Sequence, residues 1–236
     1  MNRPGVLASA LAEVGDWGPF FAVQTHDVGA LAPFPWRPMR ELVDNPEVLA
    51  DRVSSVRSHL AIGGGRPTER VAASVAHLGL VARLVSPTIG LIVHSGQWLV
   101  MDLADLWWQP TLVGAFPLSV GVVEQPDAVI GDAVLELTWA VRGFSVSERV
   151  LWGNVASAIN GAATVIGSSR PALATRAEAV VARLLALPEL RHASTRRQDG
   201  RFQRLSCCLI YRASPTNSRD NLCGDCVLAT GQRRPA

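Results

Sequence analysis

Apolar residues recur at helical spacing along much of this chain. This spacing predicts helices at residues 6–14 and 39–60, the second ending at the glycine run 63–65. A third predicted helix covers residues 69–85, with Thr68 as its N-cap and Pro87 as its end. Helical spacing returns at residues 128–141, 147–166 and 171–187, the last with a proline at its start.

Between the third and fourth helices the pattern changes to short apolar runs separated by turn residues. Strands are predicted at residues 88–94, 97–102, 111–116 and 118–123. We therefore expect an α+β fold: a predominantly helical body with a small central antiparallel sheet, followed by a C-terminal segment. The predicted boundary places the body at residues 1–192 and the segment at 193–236, with the polar run 193–203 as a linker.

The apolar character of the chain does not predict a membrane span. Hydrophobic residues make up 48% of the 236 residues and charged residues 18%, but polar and charged positions interrupt the most apolar region, residues 78–108. The first residues lack the long apolar stretch of a secretion signal. These features predict a cytoplasmic protein without stable membrane insertion.

All four cysteines, Cys207, Cys208, Cys223 and Cys226, fall within twenty residues. A disulfide framework is disfavoured in a reducing cytoplasm, and neighbouring cysteines are too close along the chain to pair with each other. Four converging thiolates would repel one another unless a cation or a cluster took up their charge. Metal binding is therefore the leading interpretation.

The spacing of these cysteines leaves two kinds of metal site open. A structural zinc site usually presents two Cys-x-x-Cys turns, and only Cys223–Cys226 has that spacing. Two irons bridged by sulfide form a wider target, which an adjacent pair plus one such turn can reach. The spacing favours iron–sulfur over zinc without excluding zinc.

The flanks of these cysteines carry a family resemblance. The runs Cys-Cys-Leu-Ile-Tyr-Arg at 207–212 and Cys-Gly-Asp-Cys-Val-Leu at 223–228 resemble the C-terminal signature of the FhuF-like ferric siderophore reductases. Residues 70–87 and 151–155 are similar to other segments of that family, so the resemblance spans roughly residues 70–228. The fourteen residues between the two cysteine pairs exceed the gap in some members, but their polar, turn-rich composition allows an outward loop.

This resemblance implies a [2Fe–2S] cluster on the four cysteines and one-electron reduction of a ferric siderophore, of hydroxamate type, with release of Fe(II). It implies no catalytic residue beyond the cluster, and a ferredoxin-type or NAD(P)H-dependent electron donor as partner. Two alternatives stay open: a non-catalytic iron–sulfur electron carrier or redox sensor, and a zinc-stabilised binding module.

Positive charge accompanies the cysteines. The chain has no lysine, and residues 191–236 contain nine arginines against three aspartates. This charge favours a solvated linker first and the docking of an oxygen-rich chelate or an acidic electron donor second, and no recognition motif accompanies it for nucleic acid. Tryptophans could line an entrance for a bulky ligand, although they are mainly core residues. The docking candidates are Arg196, Arg197, Arg201, Arg204, Arg212, Trp107 and Trp108.

The remaining candidate features favour structural roles. Five histidines are scattered without metal-ligand spacing, and His77 lies within an apolar helical pattern, which favours a packed histidine. The glycine run 63–65 is not followed by the Gly-Lys-Ser/Thr of a phosphate-binding loop and favours a plain turn.

Overall fold

The computed structural model describes residues 3–99, 101–112, 114–121, 124–125, 131–215 and 221–229. These residues form an α+β fold with a predominantly helical body, as the sequence pattern predicts. The helices are α1 (Arg3–Gly15), α2 (Glu41–Asp44), α3 (Pro46–Ala61), α4 (Glu69–Ser95), α5 (Asp132–Val141), α6 (Glu148–Ser169) and α7 (Ala174–Leu185).

Short strands form one mixed sheet and two separate pairs. They are β1 (Gln24–His26), β2 (Arg37–Pro38), β3 (Trp98–Leu99), β4 (Leu106–Trp108), β5 (Leu118–Gly121), β6 (Glu124–Gln125), β7 (Ser194–Arg196) and β8 (Phe202–Arg204). The mixed sheet has the order β1-β5-β4-β2, while β3 pairs with β6 and β7 with β8. The sheet is not wholly antiparallel, because β1, which the apolar pattern did not predict, pairs parallel to β5.

Helices α4 and α6 form the centre of the body. They make the most extensive helix–helix contact of the described residues, and α1, α3, α5 and α7 pack around α4. Both central helices are long and apolar enough to cross a membrane by length and composition, but most of each apolar stretch is buried within the protein. This burial is consistent with a soluble protein.

Helix α4 corrects two predictions. Pro87 does not end it, and residues 88–94 are helical rather than a strand. An interior proline costs about 3 kcal/mol because it removes a backbone hydrogen bond and crowds the preceding turn. Burial of apolar side chains over the last ten residues of the helix, Ile89 and Leu91 among them, offsets that cost. Gly96, with a φ of 79°, then ends the helix in the left-handed conformation.

Other predicted elements differ at their boundaries. The helix expected at 39–60 is divided by Asn45, whose side chain caps α3. The described residues of 111–116 form no strand. Among the described residues, the strand expected at 97–102 is shortened to β3, and the strand expected at 118–123 is shortened to β5. Of the helix predicted at 128–141, positions 128–130 lie outside the described residues. The expected linker 193–203 instead contains the β7–β8 hairpin.

The glycine run is a packing feature. A Cβ on Gly65 would lie 1.8 Å from the carbonyl oxygen of Ala213, so only glycine allows this turn to pack against the cysteine segment. Gly63 has open space around its Cβ position. The turn therefore packs against the backbone of the chain that follows the first cysteine pair.

Gly65→Ala should lower the free energy of unfolding by about 1–3 kcal/mol, because the added methyl group forces the two backbones apart. Gly63→Ala is the matched control, since its methyl group would meet no atom within 4 Å. Urea titrations of the two variants test this directly. Equal stability of the two variants would contradict the close packing at Gly65.

Candidate metal centre

The tertiary structure brings the four cysteines near one another. Cys207 and Cys208 follow strand β8, and Cys223 and Cys226 flank a two-residue turn. All four are free thiols, and the sulfur atoms of Cys208 and Cys223 lie 3.5 Å apart. Cys208 and Cys226 are each 2% exposed, whereas Cys207 and Cys223 are half-buried. The group of four thiols therefore has a buried side and a side that solvent reaches.

Backbone N–H groups point at the sulfur atoms. Leu209 donates to Cys207 Sγ at 3.3 Å, and Leu228 donates to Cys226 Sγ at 3.4 Å. In each case the donor lies two residues after the cysteine. Leu209 has a φ of 71°, a left-handed conformation that is uncommon for leucine. Turns of this kind direct successive N–H groups to one side and form concavities that favour negative charge.

The first cysteine pair is fixed to the helical body through its backbone. The Ser74 hydroxyl on α4 donates to the carbonyl oxygen of Cys208 at 2.8 Å, in a buried position. Leu209 and Ala213 pack with Val71 in a small apolar cluster on the same helix. The pair is therefore positioned by α4 rather than by its own loop.

The second pair is held by strand β8 and helix α6. The Arg204 backbone N–H donates to the carbonyl oxygen of Asp225 at 3.0 Å, and the Gln203 side chain donates to that of Cys226 at 3.3 Å. The Ser157 hydroxyl donates to the Asp225 carboxylate. The turn between the second pair thus joins both the hairpin and α6.

The thiols influence one another's protonation. Hydrogen bonds from the Cys207 and Cys223 thiols, in that order of effect, lower the pKa of Cys208. The same contacts with Cys208 raise the pKa values of Cys207 and Cys223 well above the ordinary range of a thiol, with burial as the next cause in both. Negative charge is therefore favoured on Cys208, with the Cys207 and Cys223 thiols as hydrogen-bond donors to it.

A buried cation lies beside this group. The Arg204 side chain is 0% exposed, and its Nη2 donates to Asn154 Oδ1 at 2.6 Å and to the carbonyl oxygen of Val150 at 3.2 Å. Its Nε and Nη1 atoms have no hydrogen-bond partner, and among the described residues no carboxylate forms an ion pair with it. Gly153 makes room for this guanidinium, because a Cβ there would lie 2.9 Å from Nη2.

Asn154, which accepts the hydrogen bond from Arg204, also belongs to a polar network inside the helical body. Its amide nitrogen donates to the Ser74 carbonyl oxygen at 2.9 Å and lies 3.4 Å from His77 Nδ1. His77 Nε2 lies 3.1 Å from the Thr138 hydroxyl, which donates its own proton to the carbonyl oxygen of Val134. His77 Nε2 must therefore carry the proton, with Nδ1 as acceptor. Burial, followed by the charge of Arg204, lowers the pKa of His77 to about 3.

The sulfur–sulfur distance between Cys208 and Cys223 and the charge at Cys208 are compatible with thiolate ligands of a metal or cluster. The Arg204 Nε and Nη1 atoms and the buried Ser206 hydroxyl have no hydrogen-bond partner among the described residues, and the charge of Arg204 favours the thiolate form of Cys208. Two thiolates bound to one tetrahedral metal at about 2.3 Å lie about 3.8 Å apart, close to the 3.5 Å between Cys208 and Cys223. No three His, Cys, Asp or Glu side chains of the described residues stand in metal-binding geometry.

The arginines expected to dock a partner separate into two groups. Arg196, Arg197, Arg201 and Arg212 are exposed, so they are available to a ligand or a partner. Arg204 is completely buried and is therefore not a surface docking residue. Its neighbours Phe202 and Leu205 are more apolar than those of Arg196 and Arg197, which is the one local signal that separates it from them.

The two tryptophans belong to the sheet. Trp108 is buried and packs edge-on against Phe116, with 5.9 Å between ring centroids. Trp107 stacks on His26 at 3.6 Å. Neither lines the two described grooves that border the cysteine segment, so the structure gives them packing roles.

Sequence reasoning missed the polar network of α4 and α6. Ser74 and His77 lie one turn apart on α4, and Asn154 is a lone amide in an apolar stretch of α6. Polar residues inside apolar helical patterns are the available signal, because burial of an amide requires partners. His77 is a packed histidine, as its pattern predicted.

In the comparisons with known proteins, no family model matches the chain, and no curated protein matches it.

The pKa of His77 predicts a pH dependence of stability. An unfolded histidine binds a proton near pH 6.5, whereas the folded one does so at about pH 3. Stability is therefore complete above about pH 6.5 and falls with decreasing pH, with a slope approaching about 1.4 kcal/mol per pH unit from this residue.

Urea unfolding between pH 7 and pH 5 should show this slope in wild type and in the exposed control His59→Gln, and a smaller one in His77→Gln. An unchanged slope in His77→Gln would contradict the buried neutral state of His77.

Proposed function

We propose that this chain is a cytoplasmic one-electron reductase of ferric siderophores that carries a [2Fe–2S] cluster on Cys207, Cys208, Cys223 and Cys226. The observation that carries the proposal is that four free thiols lie near one another, with Cys208 beside the buried Arg204, which has no carboxylate partner among the described residues. The resemblance of both cysteine runs to the FhuF-like signature supports iron–sulfur over zinc.

The chemistry required is the transfer of one electron. A bound [2Fe–2S] cluster supplies one electron at a time. Hydroxamate oxygens are hard donors that hold Fe(III) far more strongly than the less charged Fe(II). The substrate iron gains one electron, becomes Fe(II) and leaves the chelate, so the reaction needs no general acid or base.

The residues of the chain control charge and access. The N–H groups of Leu209 and Leu228 and the guanidinium of Arg204 stabilise negative charge on the sulfur atoms, which favours the reduced state. The half-buried Cys207 and Cys223 form the side at which a donor or an acceptor can approach.

The proposed partners follow from surface charge and redox compartment. A ferredoxin-type or NAD(P)H-dependent donor with an acidic face would dock on exposed arginines, Arg197 and Arg212 among them. A cytoplasmic location keeps thiols reduced and available for a cluster.

Iron and sulfide analysis tests the cofactor. Purified anaerobic protein should contain about two irons and two sulfides per chain, as ligation by four cysteines implies, and should give a paramagnetic resonance signal when reduced. Cys223→Ser should lose both metal and signal. A colourless protein loaded with zinc would contradict the proposal and favour a binding module.

Release of Fe(II) from ferric hydroxamates, trapped by a chelator, tests the reaction itself. The reduced wild type should release Fe(II) faster than reduced buffer and faster than Cys223→Ser. Equal rates in a protein that contains the cluster would instead indicate an electron carrier or redox sensor.

Arg204→Met should lower the midpoint potential, because it removes the buried positive charge that favours the reduced state. We expect a shift of about 60 mV, which is a tenfold change in the one-electron equilibrium constant. Arg204→Lys keeps a positive charge, so its midpoint potential should lie between those of wild type and Arg204→Met. Arg201→Met, at an exposed position, is the matched control. Potentials that do not change in folded, cluster-loaded Arg204→Met would exclude this role.

A further inference from the structure

An open groove of about 710 Å³ borders the turn between Cys223 and Cys226. Its floor is one face of α6, its walls are α7 and the β7–β8 hairpin, and its end is Gly224 with Asp225. The volume falls within the range of small-molecule sites, about 300–1,000 Å³. A protein partner instead requires a surface of about 800 Å² on each side.

The floor of this groove is open because its side chains are small. Gly161, Thr164 and Gly167 recur along the face of α6 that the groove exposes. The Cβ position of Gly161 has no atom within 4 Å, and the same is true of Gly224 at the end of the groove. A bulky ligand can therefore lie against the helix and reach the backbone between the two cysteines.

The walls and the end of the groove carry both positively and negatively charged side chains. Arg196 and Arg201 of the hairpin face the groove from one side, Glu178 of α7 from another, and Asp225 closes the end. Among the described residues, the side chains of Arg201 and Glu178 form no hydrogen bond or ion pair. Two positive and two negative groups suit a ligand of low net charge that presents many oxygen atoms and some N–H groups.

We propose that this groove between α6, α7 and the hairpin binds the ferric chelate and holds its iron beside the Cys223–Cys226 turn. The inference rests on the proposed reductase function and adds the place where the substrate binds. A cluster held by the four cysteines would supply one electron to Fe(III), which would leave as Fe(II), and a ferredoxin-type or NAD(P)H-dependent donor would restore that electron. Electron transfer slows steeply with distance, so the small Gly224 at the contact favours a rapid step.

A second groove competes for this role. It has a volume of about 410 Å³ and is lined by Arg66, Thr68, Val71, Tyr211 and Arg212. It contains two arginines without an acidic group, and it borders the chain three and four residues after Cys208 rather than the turn between two cysteines. The larger groove is favoured by its volume and by its direct contact with that turn.

Binding of a redox-inert gallium hydroxamate complex tests the groove without electron transfer. Gly161→Phe should fill the floor and raise the Kd at least tenfold, because its ring would occupy the open space above α6. Gly79→Phe is the matched control, since Gly79 is also an interior helical glycine with no atom within 4 Å of its Cβ position; its Kd should stay within twofold of wild type. Titration calorimetry gives all three values.

Charge reversal separates the two grooves. Arg201→Glu should weaken binding of the gallium complex, whereas Arg212→Glu, in the smaller groove, should leave the Kd unchanged. The opposite order would overturn the proposal in favour of the second groove.

Reduction assays separate this proposal from the reductase function. Reduced Gly161→Phe should release Fe(II) from the ferric chelate with a raised KM, while its reaction with ferricyanide, a small acceptor, should match wild type. Unchanged gallium binding in Gly161→Phe, with Fe(II) release intact in wild type, would overturn the groove alone. Wild type that neither binds the gallium complex nor releases Fe(II) would overturn both, and binding lost in Gly161→Phe without any reduction by wild type would support the groove and refute the reductase.

Discussion

The contact between Arg204 and Asn154 joins the cysteine segment to the helical body. A guanidinium buried at zero exposure is costly unless neighbouring groups satisfy it. Helix α6 supplies the amide oxygen of Asn154 at 2.6 Å and, at Gly153, the space in which the guanidinium fits. The same amide bonds the Ser74 carbonyl on α4, and the Ser74 hydroxyl holds the backbone of Cys208. The two central helices must therefore keep their register for the first cysteine pair to be placed.

This arrangement gives the thiol group two unlike sides. On the inner side lie Cys208, Cys226 and the guanidinium of Arg204, in surroundings where charge interacts strongly. On the outer side Cys207 and Cys223 are half-buried. For the proposed cluster, positive charge inside would stabilise the reduced state, and partial exposure outside would allow electrons to leave. The proposed exchange of electrons with a bulky partner would need both properties.

Arginine occupies two environments in the same segment. Exposed arginines such as Arg201 and Arg212 are solvated, whereas Arg204, at the end of β8, is enclosed by α6. The difference arises from position: all three residues of β8 are buried, whereas Arg201 precedes that strand and Arg212 lies in a later 3-10 helix. A flexible linker could not have held one arginine inside and its neighbours outside.

The sequence by itself determined the helical body, the cap at Thr68 and the thiol-rich segment, because periodic apolar spacing, capping and cysteine spacing are local properties. Only the tertiary structure decided that α4 continues through Pro87, that β1 joins the sheet parallel to β5, and that Arg204 is buried. Each of these depends on burial against residues distant along the chain. The energy of such burial exceeds local preference, and a one-dimensional pattern does not contain it.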